Sequence, residues 1–80
     1  MQDLSLYNSP DMATRIKARA KQLKRPLKEV LVSCGLGSNT LSHMLHGRSI
    51  ASDSLARIAD ELDCSVDYLL GRTDNPAVNR

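Results

Sequence analysis

The sequence predicts an all-α domain of five short helices. Apolar residues recur at helical spacing, most cleanly at Leu55, Ile58, Ala59 and Leu62, which stand at i, i+3, i+4 and i+7. Start and stop signals alternate along the chain, with Ser or Pro ahead of the apolar stripes and Gly behind several of them. No run of period-2 alternation is long enough to argue for a strand.

These signals divide the chain into an N-terminal arm over 1–9, a helical domain over 10–71 and a tail over 72–80. The arm holds Leu4, Leu6 and Tyr7 without helical spacing or a cap. Ser9, Pro10 and Asp11 then read as an N-cap, a first helical position and an acid in the first turn. Met12, Ile16, Ala20 and Leu23 make the inner stripe of that helix. Its end falls near Lys24, where cations suit the C-terminal dipole. Pro26 blocks continuation and opens the second helix, with Leu27, Val30, Leu31 and Cys34 inward. Gly35 closes it in the left-handed conformation.

The third helix lies in the stretch GLGSNTLSHMLHG, between Gly35 and Gly47, with an expected length of two to three turns. Leu41, Met44 and Leu45 fall on one side of the wheel as core, with Thr40 at the margin. Asn39, Ser42, His43 and His46 fall on the other. That side offers amide, hydroxyl and imidazole groups, which both donate and accept hydrogen bonds. A merely solvated face more often carries Lys and Glu. A short polar face without charge suits the reading of base edges. Arg48 to Ala51 form a loop. Ser52 then caps the fourth helix, with Asp53 in its first turn. Ser65 caps the fifth, with Asp67 in the first turn, Val66, Leu69 and Leu70 inward, and Gly71 at the end. The tail RTDNPAVNR has no periodicity and is expected to be mobile.

Eighty residues suffice for one domain. A chain of this size buries only about 60% of its unfolded surface, so its stability margin is thin. There is no Phe or Trp, so Leu, Ile, Val, Met and Ala must fill the core. The net charge is only +2, but it is unevenly distributed. Arg15, Lys17, Arg19, Lys21, Lys24, Arg25 and Lys28 follow one another with no acid between them. Asp53, Asp60, Glu61, Asp63, Asp67 and Asp74 dominate the second half. Such asymmetry predicts a basic face turned toward a polyanion; the bland alternative is a solvated helix.

Cys34 and Cys64 sit at apolar helix ends and read as small buried hydrophobes of a reducing compartment, not as a disulfide framework. No C-x-x-C or H-x-x-x-H spacing supports a metal site, and no cofactor is expected. An enzyme is not expected either. His43 and His46 lie without a nucleophile or an orienting acid, and there is no Gly-rich phosphate loop. No apolar run approaches the roughly 18 residues of a membrane span.

Two helices joined by a Gly-containing turn make a helix-turn-helix, here the second and third helices. The segment from Pro26 to Leu70 resembles the Cro/repressor-type (Xre-like) helix-turn-helix family of the lambdoid phage repressors. Val30, Gly35, Leu36, the Thr40-Leu41-Ser42 trio and Gly47 carry the match, together with the block LARIADELDCSVDYLLGRTDNP. The resemblance covers roughly residues 10 to 75. It implies a five-helix, lambda-repressor-like domain, bacterial or phage-encoded and cytoplasmic, that binds an operator in double-stranded DNA as a homodimer. The third helix would enter the major groove. The implied base-reading residues are Ser38, Asn39, Ser42 and His43. The implied phosphate-contacting residues are Leu27, Lys28, His46, Arg48 and Ser49. No small-molecule ligand and no membrane partner are implied.

The chain departs from the family at Pro26, where a Ser or Thr cap is usual, at Leu27, where Gln is frequent, and at Gly37, where Ser or Thr usually begins the third helix. In many relatives an Arg on the first helix pairs with a Glu on the third. The matching positions here are Ala20 and Leu45, both apolar, and they are expected in contact. The alternative reading is a protein-interaction module, an antirepressor or adaptor that keeps the fold without DNA; Leu27 favours it slightly.

Overall fold

The computed structural model describes residues 7–78. The arm residues Leu4 and Leu6 lie outside the described residues. Five helices follow one another: α1 (Ser9–Gln22), α2 (Leu27–Ser33), α3 (Thr40–Leu45), α4 (Ser52–Glu61) and α5 (Val66–Leu70). There is no strand among the described residues. Helix α1 is the central element and packs against α2, α3 and α5, while α4 closes the far side against α2 and α5.

The apolar stripes explain this packing. Helix α1 buries Ser9, Ala13, Ile16 and Ala20, one residue per turn. Small side chains at Ala13 and Ala20 let the neighbouring helices approach closely. Ile16, Val30, Met44, Ile58, Leu62, Cys64 and Leu69 are the largest fully buried side chains. Tyr68 joins them at 8% exposure, a core position that the sequence pattern did not reveal. Each fully buried aliphatic side chain contributes about 1.5–3 kcal/mol by removal from water.

All five helices end in the same way. The residue after each last turn has positive φ: Lys24 at 56°, Gly35 at 73°, Gly47 at 94°, Asp63 at 50° and Gly71 at 85°. The next N–H then reaches back to a carbonyl in the final turn. Arg25 donates to Ala20, Leu36 to Leu31, Arg48 to His43, Cys64 to Ala59 and Arg72 to Asp67, at 2.9 to 3.0 Å. Gly35 closes α2 as the sequence predicted.

Three helix starts differ from expectation. Asn8, not Ser9, caps α1: its side chain accepts from the Asp11 N–H at 2.9 Å and donates to the Asp11 carboxylate at 3.0 Å. Ser9 is inside the first turn and buried. Ala51, not Ser52, holds the cap position of α4, without a side-chain bond. Helix α3 has six residues and starts at Thr40, leaving Ser38 and Asn39 in the turn ahead of it. Ser65 caps α5 as expected, accepting from the Tyr68 N–H at 3.0 Å.

Leu45 is 42% exposed, so it is not core, and the expected burial of this side chain does not occur. Leu41 and Met44 fill the inner face at 4% and 1% exposure, and Leu45, the last residue of α3, stands at the margin of that face.

The tail also departs from expectation. The Thr73 carbonyl accepts from Arg15 Nη1 at 3.0 Å, and the Asp74 carboxylate pairs with Arg15 Nη2 at 3.0 Å. The Pro76 carbonyl accepts from the Ser65 N–H at 3.0 Å. Lack of periodicity excluded a helix here; it did not exclude docking by hydrogen bonds.

Candidate nucleic-acid interface

The candidate surface is built around α3. Leu41 and Met44 fix one side of this helix in the core, and α1 is the helix that it packs upon. Ser42 and His43 project from its exposed side. Asn39 holds the cap position with φ −86° and ψ −2°, and its side chain makes no capping bond. Its carbonyl accepts the first helical bond, from the His43 N–H at 2.9 Å. The work of tying down the turn falls instead to Thr40, whose hydroxyl donates to the Gly37 carbonyl at 2.8 Å. Ser38 is exposed in the same turn. Among the described residues, the side chains of Ser38, Asn39, Ser42 and His43 have no intramolecular hydrogen-bond partner. Their donors and acceptors are open to water or to a ligand.

The expected phosphate contacts are distributed over two places. Leu27 and Lys28 begin α2, which no side chain caps, so the first N–H groups of that helix are free of intrahelical partners. The Leu27 side chain is half-buried and packs against the core, so at this position only the backbone faces outward. Lys28 is exposed. His46 caps the end of α3, and Arg48 and Ser49 lie in the following loop, all exposed. The structure thus leaves eight of the nine sequence-predicted residues exposed, Lys28 among them, and only Leu27 is half-buried against the core.

The basic run does not form one continuous face. Arg15 donates to the Tyr68 and Thr73 carbonyls, both at 3.0 Å, and its guanidinium lies 5.2 Å from the Tyr68 ring centre. Arg19 donates to the Leu62 and Asp63 carbonyls, both at 3.0 Å. Arg25 donates to the Glu61 carbonyl and carboxylate, both at 2.7 Å. Each arginine therefore meets carbonyls that end α4 or α5, where the helix dipole is negative and the last acceptors lack partners. A guanidinium fork reaches two such acceptors at once, which an ammonium does less well. The sequence reading missed this division of labour. The signal available was the alternation itself: Arg15 and Arg19 share one flank of α1, and Lys17 and Lys21 the other.

Both thiols are free and buried. Burial, followed by the Glu61 charge, raises the Cys34 pKa above its ordinary value of 9.0. Burial raises that of Cys64 in the same way, with the Arg19 charge opposing. Among the described residues, no group of three or more His, Cys, Asp or Glu side chains could hold a metal ion, and no helix is long and apolar enough to cross a membrane. The chain matches no family model, no curated protein and no solved structure.

Proposed function

We propose that the protein is a sequence-specific DNA-binding regulator of the Cro/repressor helix-turn-helix type. The observation that carries the reading is the unengaged, uncharged polar surface of Ser38 and Asn39 in the turn before α3 and of Ser42 and His43 on α3, a helix anchored from behind by Leu41 and Met44. In this reading α3 is the recognition helix and lies in the major groove, with Asn39 at the end that enters first. The Asn39 amide meets an adenine at N6 and N7 together, and His43 meets a neighbouring pair. Lys28, Arg48, Ser49 and His46 fix the register on the phosphates. The protein acts as a homodimer on a partly palindromic operator and represses by excluding polymerase. Repression, and a bacterial or phage origin with action in the cytoplasm, come from the family resemblance.

A second reading, a protein-interaction module on the same scaffold, is favoured by one observation. Val32 on α2 is 65% exposed, and Leu45 on α3 is 42% exposed. Selection of sites from a random duplex pool separates the two. The DNA reading expects an enriched motif with half-site centres about one helical turn, ~34 Å, apart. It also expects Asn39→Ala to relax preference at a single base pair, a discrimination worth about 1–3 kcal/mol. A pool that yields no motif removes the DNA reading, and equal weakening on every single-base variant by Asn39→Ala removes the assigned base contact.

A further inference from the structure

The cations of this protein are sorted by type. Every ion pair among the described residues uses an arginine: Arg15 with Asp74, Arg25 with Glu61, Arg57 with Asp53 and Arg72 with Asp67. Lys17, Lys21, Lys24 and Lys28 are the chain's only lysines. All are exposed, and none makes an ion pair among the described residues. On α1 the sorting follows the helix wheel. Arg15 and Arg19 occupy the flank that reaches the ends of α4 and α5. Lys17 and Lys21 stand one turn apart on the opposite flank, and Lys24 follows just beyond the C-cap.

This arrangement is unfavourable in the isolated protein. Like charges one turn apart on a helix repel, at about 0.2–0.5 kcal/mol per pair. Among the described residues no carboxylate pairs with them, although the chain carries nine acids. Lys24 also holds φ at +56°, a conformation that glycine or asparagine adopts with less strain. A row of ammonium groups without an ion pair among the described residues, on one flank of the helix that packs on α3, has the chemistry of a surface for an extended polyanion. Strongly hydrated point charges meet phosphates without needing a fixed geometry.

We propose that Lys17, Lys21 and Lys24 form a strip on α1 that binds the DNA phosphate backbone beyond the segment met by α3. The inference rests on the DNA reading above. It extends the contact surface to a helix outside the helix-turn-helix, and it assigns Arg15, Arg19 and Arg25 no part in binding. The strip contributes affinity on any sequence and discriminates among none.

The test compares wild type with the Lys17→Gln, Lys21→Gln, Lys24→Asn triple variant on a random-sequence duplex over a salt series. Asparagine at 24 accepts the positive φ. Circular dichroism melting checks the fold, and the three single variants at these exposed positions keep the comparison readable if the triple variant melts early. The expected result is a log–log salt slope shallower by about 0.9 for each lysine in contact, with weaker binding at low salt. A slope identical to wild type overturns the strip while the DNA reading stands. A wild-type protein that binds no duplex even at low salt overturns both.

Discussion

Arg25 grips Glu61 twice, through the backbone carbonyl and through the carboxylate, both at 2.7 Å, with about two thirds of each side chain buried. The pair joins the α1–α2 turn to the last residue of α4. Together with Arg15 and Arg19 it turns half of a basic run into internal bracing.

Arg25→Ala should therefore lower stability by about 1.5–3 kcal/mol, the range for hydrogen bonds to charged groups. Arg25→Lys should recover only part of it, because an ammonium does not span carbonyl and carboxylate as the fork does. Urea unfolding of the three proteins measures this. Equal stability of all three would show the pair to be a surface ion pair of negligible worth.

Neighbouring positions on α3 should respond in opposite ways. Met44→Ala removes a side chain that is 1% exposed and should cost about 2–5 kcal/mol. Leu45→Glu places a carboxylate at a position 42% exposed and should change stability by less than about 1 kcal/mol. Thermal melts decide it. A large loss for Leu45→Glu would mean that Leu45 is covered in solution by something else.

The buried thiols give a pH dependence with a definite sign. Burial holds the folded pKa of Cys34 and Cys64 above 9.0, so the unfolded chain loses these protons first. Their contribution is intact below the unfolded pKa and is lost as pH rises from about 9 through the folded value. The Cys34→Ala, Cys64→Ala double variant should lose less stability than wild type between neutral pH and pH of about 10. Denaturant midpoints at the two pH values are the measurement, and parallel losses would contradict the burial effect.

Arg48 is the exposed arginine of the loop after α3 and makes no ion pair among the described residues. On the DNA reading, Arg48→Ala should weaken binding to all duplexes alike and reduce the salt slope by about 0.9. Fluorescence anisotropy on specific and random duplexes reads both effects. A loss confined to one base pair would reassign Arg48 from phosphate to base.

What the sequence determined by itself was the helical architecture and the inner stripe of α4. Periodicity at Leu55, Ile58, Ala59 and Leu62 is a local property, and all four residues are buried. The stops at Gly35, Gly47 and Gly71 were legible because glycine favours positive φ. The end of α1 near Lys24 was legible from Pro26 and the basic last turn, but the positive φ at Lys24 and at Asp63 was not, because these side chains do not require that conformation as glycine favours it. The exposure of Asn39, Ser42, His43 and His46 was also legible from the wheel.

Tertiary structure alone decided which cations are free. Apart from a local bond from Arg19 to Gln22, Arg15, Arg19 and Arg25 find their partners at residues 36 to 59 positions away in the chain, a separation over which sequence spacing carries no information. The same contacts pin the tail at Thr73 and Asp74 and draw Tyr68 under Arg15. Helix ends leave carbonyls that must be satisfied, and the fold brings the nearest guanidinium groups to them. The lysines, left over by that assembly, remain as the exposed basic surface.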